Sequence, residues 1–239
     1  MNTKGYTVAI IPARGGSKRI PNKNVRPFAG KPMISYPIAA AIASGLFDRV
    51  IVSTDSDTIA ETAAAAGAEV PFRRPPELSD DHTATAPVIV HALRWLEQAG
   101  TPAVNACCIY ATAPFIRSED IQRGYSILKD KGAVSAFTVT SFAFPIFRSL
   151  KIAADGALAM NWPEHRNTRS QDLPEAFHDA GQFYWLDVAR FLADPNLYSA
   201  DARPIILPRY LVQDIDTLED WATAEHMHRA LQLAGALPR

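Results

Sequence analysis

Residues 11–24 read IPARGGSKRIPNKN, with Gly15 and Gly16 set among Arg14, Lys18, Arg19 and Lys23. Glycines let a backbone approach a ligand and offer amide donors, and basic side chains add charge-assisted hydrogen bonds, so this combination suits phosphate oxygens. Its spacing is neither the GxGxxG of dinucleotide folds nor GxxxxGK[ST], because Gly30-Lys31 is followed by Pro32. Taken alone, the stretch fits a solvated turn at least as well. A second candidate is Asp214 and Asp216 in QDID. On an extended segment these alternate residues share a face, where two carboxylates can meet one Mg2+ that also holds substrate phosphates. Asp216 and Glu219 alternatively fit a capping box for the helix that follows.

Between these lies RRPPELSDDHTAT (73–85), a polar loop supplying Arg74, Asp80, Asp81, Thr83 and Thr85, with Thr83 or Thr85 placed near a helix N-cap. NTRSQDL supplies Arg169, Ser170 and Gln171; HDAGQFYW supplies His178, Asp179 and Gln182. His178 beside Asp179 suggests an acid–base pair, but side chains adjacent in sequence seldom form an oriented dyad. No Ser/His/Asp order suggests a hydrolase. The six histidines lack zinc spacing, and His226 and His228, two apart on a helix, do not share a face.

The elements that must position these residues follow an α/β rhythm. YTVAII (6–11), DRVIVST (48–54) and a run near 104–110 read as buried parallel strands, and EVPF (69–72) continues the series. Helical patterns fall between them at 32–45, 56–67, near 85–99 and near 118–131, with Gly45 and Gly67 as stops. Ligands of such sheets bind beyond the carboxyl ends of the strands, where the glycine-containing loop falls. After residue 133 short extended pieces alternate with turns such as Asp155-Gly156; a strand follows at 182–188 and a helix at about 216–234. The expected fold is a three-layer α/β, Rossmann-like architecture with a mostly parallel sheet, in one domain spanning 1–239.

With 239 residues, 48% hydrophobic, 21% charged and a formal net charge of −1, the chain has an ordinary globular composition and no broad basic surface for nucleic acid. The absence of a signal-like or membrane-spanning run makes the cytoplasm the expected compartment. Cys107 and Cys108, adjacent on a strand, point to opposite faces and read as core thiols.

Four motifs in order, IPARGGSKRIPNKN, VIVSTDSDTIAETA, RRPPELSDD and QDIDTLEDW, resemble the CMP-sialic acid synthetase (acylneuraminate cytidylyltransferase) family over about residues 7–234. The resemblance implies a nucleotidyltransferase that joins CMP from CTP to the C2 hydroxyl of a nine-carbon 2-keto sugar acid, releases pyrophosphate and uses Mg2+. CCIYATAPF, SFAFPIFRSLKI and the stretch around NTRSQDL are similar to the branch acting on pseudaminic acid, whose product serves bacterial flagellin or polysaccharide glycosylation. The sialic acid branch usually carries Gln-Pro-Thr-Ser-Pro where this chain has Tyr110-Ala111-Thr112-Ala113-Pro114. N-acetylneuraminate and legionaminate are alternative substrates, and a non-catalytic nucleotide-binding protein or an Asp-x-Asp glycosyltransferase are alternative functions.

By motif position the resemblance assigns the nucleotide to Ala13, Arg14, Gly15, Ser17, Lys18, Lys23, Asn24, Arg74 and Thr85, with the last two at the cytosine. It assigns the metal to Asp214 and Asp216, and the sugar to Tyr110, Thr112, Arg169, Gln171, His178 and Gln182. Arg14, Lys23 and Asp216 are the catalytic candidates. Residues 140–180 resemble the family's dimerisation segment, with Phe142, Phe144 and Phe147 offering apolar contacts, which implies a homodimer.

Overall fold

The computed structural model describes residues 5–238. In chain order its elements are β1 (Tyr6–Pro12), β2 (Pro27–Phe28), β3 (Lys31–Pro32), α1 (Ser35–Ser44), β4 (Arg49–Ser53), α2 (Asp57–Ala65), α3 (Thr85–Gln98), β5 (Ala103–Ile109) and α4 (Ser118–Lys131). They continue with β6 (Ser135–Ser141), β7 (Leu150–Ile152), β8 (Leu158–Met160), β9 (Phe177–Asp187), α5 (Val188–Ala193), β10 (Arg203–Ile206) and α6 (Leu218–Leu233). The main sheet has six strands in the order β10-β6-β9-β5-β1-β4. β1 pairs parallel with β4 and β5, and β6 with β10, whereas β9 runs antiparallel between β5 and β6. The expected three-layer, mostly parallel architecture is what the chain adopts.

Strand alternation sorts the core into two faces. Ala9, Ile11, Cys107 and Trp185 pack with Ile38 of α1, Ile59 of α2 and Ile121 of α4. Val8, Ile10, Cys108 and Tyr184 pack with Ile89 and Leu93 of α3 and Phe191 of α5. Cys107 and Cys108 thus enter opposite layers, and burial pushes both thiols up. A third cluster places Ile20, Phe28 and Met33 against Ile215 and Trp221, fixing the segment before α6 beside the chain that follows β1.

Gly45 caps α1 in the left-handed region at φ 67°, where its N–H reaches the Ile42 carbonyl. From β1 the chain crosses through α1 to β4 on one side of β1, then through α3 on the other face to β5 on its other side. The strand order therefore reverses at β1, and the loop after Pro12 opens at that switch point.

Two local expectations need correction. EVPF is not a strand: only Glu69 and Arg73 make isolated bridges to the β4 region, and Pro71 has no N–H to give a ladder. The capping box of α6 is Thr217 with Asp220, one residue later than the expected Asp216 with Glu219, because the helix begins at Leu218. Thr83 and Thr85 flank the N-cap of α3, as expected, without capping it themselves. Its N-cap is Ala84, while Thr83 bonds to Asp80 and Thr85 opens the helix.

Candidate functional site

The ends of β1 and β5, the loop after β1, the 73–85 loop and the segment before α6 enclose a cavity of about 510 Å³. Arg14, Ser17, Lys18, Lys23 and Asn24 line it from one side, Arg74 and Thr85 from another, and Tyr110, Thr112 and Asp216 complete the wall. Residues separated by about two hundred positions are thereby brought to one concavity.

The basic loop is tied down unevenly. Lys23's side chain is 15% exposed, against 81% for Lys18 and 69% for Arg19, so Lys23 alone of these three is held by burial as well as by an ion pair. Its Nζ lies 3.6 Å from Asp216 Oδ1, while Arg19 Nη1 lies 2.6 Å from Asp216 Oδ2. Burial lowers the Lys23 pKa, opposed by the charges of Asp216 and then Asp214. Arg14 and Lys18 both pair with Asp81, and their hydrogen bonds hold its carboxyl at about 2. An arriving phosphate therefore competes with Asp81 for two cations. The Asn24 amide donates to the Arg14 carbonyl at 2.9 Å and fixes the turn of the loop.

Gly15 does not act as expected. Neither it nor Gly16 adopts positive φ, and the Gly15 N–H is already taken by Asp55 Oδ1 at 2.9 Å. Crowding favours glycine at position 15 instead, since a Cβ there would lie 3.1 Å from Ser56 Cβ. Ala13, buried, gives its N–H to the Ser53 carbonyl at 2.9 Å and extends the β1–β4 register into the loop.

At the other end, Arg74 is buried at 5% exposure. Its Nε donates to Ser79 Oγ at 3.1 Å, while Nη2 sits 3.7 Å from Asp55 Oδ1, too far to hydrogen-bond, and has no other partner. Arg74 lines the cavity, and its buried Nη2 has an ion-pair partner in Asp55 but no hydrogen-bond acceptor. Burial lowers the Arg74 pKa, with Asp55 opposing. Thr85 Oγ1 lies 3.2 Å from the Tyr110 hydroxyl, and burial raises the tyrosine pKa.

Asp55 was not among the sequence candidates, yet it links the Gly15 amide to the Arg74 guanidinium. Its sequence signals are its place just beyond β4, beside the switch point, and its membership of the VIVSTDSDTIAETA motif.

The donors near Asp216 suit a hard cation. Ile215 is buried, and Asp214 and Asp216 flank it on the other side of an extended segment, with Lys23 feeling both charges. Among the described residues no group of three or more His, Cys, Asp or Glu side chains could hold an ion alone. Two carboxylates with room for phosphate oxygens and water match the habit of Mg2+, provided Arg19 yields its place on Asp216.

The remaining sugar candidates lie outside this cavity. Arg169 is exposed and paired with Asp172 at 2.7 Å, and Gln171 is also exposed. The His178 ring meets the Asp179 backbone carbonyl at 2.9 Å, not its carboxylate, so the two form no acid–base dyad. Gln182 is buried; its side-chain amide donates to the Leu211 carbonyl at 2.6 Å and its backbone carbonyl accepts from Tyr110 N–H at 2.8 Å. It braces the segment leading to Asp214 and Asp216.

A family model described as cytidylyltransferase matches residues 8–192. A pseudaminic acid cytidylyltransferase of Campylobacter jejuni subsp. jejuni serotype O:2 is 38% identical over 222 residues, covering 93% of this chain and 96% of its own. A CMP-N,N'-diacetyllegionaminic acid synthase of Legionella pneumophila is 30% identical over 234 residues, covering 92% and 95%. Among solved structures, a CMP:2-keto-3-deoxy-manno-octonic acid synthetase complexed with CTP superposes with a TM-score of 0.66 at 18% identity, covering 97% of this chain and 99% of that one. At that identity the likeness speaks for the fold.

Proposed function

The chain belongs to the cytidylyltransferase family, and from that premise we propose that it transfers CMP from CTP to the C2 hydroxyl of pseudaminic acid. The observation that carries this reading is the cavity itself. One loop presents Arg14, Lys18 and Lys23, the facing segment presents Asp216, and Arg74 with its unpartnered nitrogen closes the far end.

In this reading the sugar's C2 oxygen forms a bond to the α-phosphorus as the bond from that phosphorus to the bridging oxygen breaks, and pyrophosphate leaves. Both substrates are anions, so the approach is opposed by charge. Lys23, fixed and half-buried, and Arg14, released from Asp81, neutralise the phosphates and stabilise the charge that develops on the leaving group. Arg74 and Thr85 hold the cytosine. Asp216 accepts a hydrogen bond from the attacking hydroxyl, orients it and takes up its proton as the bond to phosphorus forms. Asp214 and Asp216 would hold Mg2+, which when bound would supply further charge neutralisation on the phosphate oxygens.

The same proposal includes a homodimer through residues 140–180. Phe147 packs on Trp162 and His165 within its own chain, but Phe144, Leu150, Ile152 and Leu158 are left exposed on the arm. Light scattering should give twice the chain mass; a monomer at working concentration refutes this part. In the paired assembly the arm of one subunit brings Arg169 to the other's sugar.

Pyrophosphate release should require CTP, Mg2+ and pseudaminic acid together. Turnover with legionaminic or N-acetylneuraminic acid and none with pseudaminic acid would overturn the substrate. CTP binding without turnover on any sugar acid would overturn the enzyme reading.

A further inference from the structure

We infer that the cleft between α1, the start of α4 and the end of α6 binds a small amphipathic anion, an apolar body carrying one carboxylate or phosphate. The cleft encloses about 970 Å³ and shares no wall residue with the cavity described above. That is room for a small molecule. The walls define the body of the ligand. Ala39, Ala40 and Ala43 lie on one face of α1, where their small side chains leave the space open. Pro114, Ile116 and Leu237 form the buried side. His228 of α6 belongs to the same wall; it is 2% exposed, and its Nδ1 finds no hydrogen-bond partner. Most buried polar atoms are hydrogen-bonded, so the fold leaves one such bond unmade beside the cleft.

The cations define its charge. Lys31, Arg117 and Arg229 line the cleft against one carboxylate, Glu119. Arg117 already holds Glu119 at 2.8 Å and Asp120 at 2.6 Å. Lys31 and Arg229 are exposed, and among the described residues no carboxylate pairs with either. Lys31 stands on a fixed turn. Ala29 in that turn has φ 45°, a conformation that costs a non-glycine residue, and its N–H is held by Glu225 Oε1 at 2.9 Å. Two unpaired cations beside an apolar cleft complement an anionic head on an apolar body. A neutral apolar molecule or a bare inorganic anion would use only half of what the cleft offers.

The test needs neither CTP nor a sugar acid, so its outcome is independent of the proposed function. The full chain, labelled with 15N, is titrated with octanoate and with octyl phosphate and followed by amide NMR; octanol supplies the body alone and inorganic phosphate the head alone. Both amphiphiles should give saturable shifts around the cleft, at Tyr36, His228 and Leu237, and the tighter of the two identifies the headgroup. Octanol should bind roughly 3- to 30-fold more weakly, the worth of two exposed ion pairs. Butanoate, four methylenes shorter, should bind roughly 30-fold more weakly or worse. Lys31→Glu with Arg229→Glu should bring octanoate down to the level of octanol. Ala43→Trp, which fills the cleft from an exposed position, should abolish the shifts there, with melting curves to confirm that both variants fold. Octanol binding as tightly as octanoate would reduce the site to an apolar groove, and inorganic phosphate giving the same cleft shifts would reduce it to an adventitious ion only. Cleft shifts that grow with protein concentration in the absence of probe would assign the surface to a second copy of the chain. Each of these results, or the lack of saturable shifts at the cleft, overturns the inference.

Discussion

Removing the Arg74 guanidinium tests whether the far end of the cavity holds a nucleobase. Its Nη2 is buried and unpartnered, with Asp55 3.7 Å away, so a base carbonyl or ring nitrogen would supply the missing acceptor. A hydrogen bond from a charged donor contributes about 1.5–3 kcal/mol, which corresponds to roughly 10- to 150-fold in affinity. Arg74→Met keeps much of the side chain's length and removes the donor; Arg74→Lys keeps the charge beside Asp55 but loses the planar fork. Calorimetric titration with CTP should show the full loss for Met and an intermediate loss for Lys. Affinity for inorganic triphosphate, which engages Arg14, Lys18 and Lys23, should change less than about threefold, within the spread of indirect effects. Asp55 also holds the Gly15 amide, so melting curves must confirm that both variants fold. CTP affinity unchanged within about twofold in a folded Arg74→Met chain would refute the reasoning, because it would mean that this buried donor meets no acceptor on the nucleotide.

Arg19 occupies an oxygen of Asp216 that the proposed Mg2+ needs, so Arg19→Ala should lower the half-saturating Mg2+ concentration about two- to fivefold, whereas Asp216→Ala should cost about 100-fold or more in kcat. Activity titrated with Mg2+ checks both, and a higher Mg2+ requirement in Arg19→Ala would contradict the competition. Gly124 lies in α4 where a Cβ would meet Ile205 Cδ1 at 2.6 Å and Trp185 Cδ1 at 2.8 Å. The Trp185 ring is pinned by its bond to the Ile121 carbonyl, so Gly124→Ala should lower Tm by about 2–4 °C despite alanine's better helix propensity. His228 is buried among Phe28, Tyr36 and Phe115, and burial, then Lys31, lowers its pKa. The unfolded chain therefore takes up this proton first, and the stability His228 contributes is present above about pH 6.5 and lost as pH falls below it. In His228→Phe the drop in Tm between about pH 7.5 and 5.5 should shrink, and an unchanged drop would show that another group controls it.

How far the fold was legible depended on whether a residue's neighbours were local. Alternation along β1 and β5 identified buried strands and sent Cys107 and Cys108 to opposite layers, because a strand's period is a backbone property. The extent of β9 was misjudged. Its outer half, Phe177 to Gly181, is polar and exposed at several positions, so it reads as a loop until β6 pairs with it. The loop after β1 was legible as basic and switch-point placed, but the role of Gly15 was not. Gly15 answers to Ser56 and Asp55, forty residues away, and no periodicity encodes that contact.

A common arrangement connects the residues that the sequence left obscure. Asp55, Asp81, Asp179 and Asp216 each accept hydrogen bonds or pair with groups on or next to the cavity wall: the Gly15 amide, Arg14 and Lys18, the tyrosines behind Tyr110, and Arg19 with Lys23. A site for two anions must concentrate positive charge, and without internal carboxylates those cations would repel one another. The carboxylates differ in what a ligand can do to them. Asp81 and Asp216 hold Lys18 and Arg19, both largely exposed and easily exchanged for phosphate or metal. Asp55 holds a backbone amide, and Asp179 holds the Gly181 amide and the hydroxyl of buried Tyr184 outside the cavity, so those contacts persist when the cavity fills. The first pair therefore tunes how readily substrate is admitted, and the second sets the geometry it meets. Asp81→Asn should accordingly change CTP affinity through the charge balance alone, while Asp55→Asn should alter the position of Arg74 and the loop together.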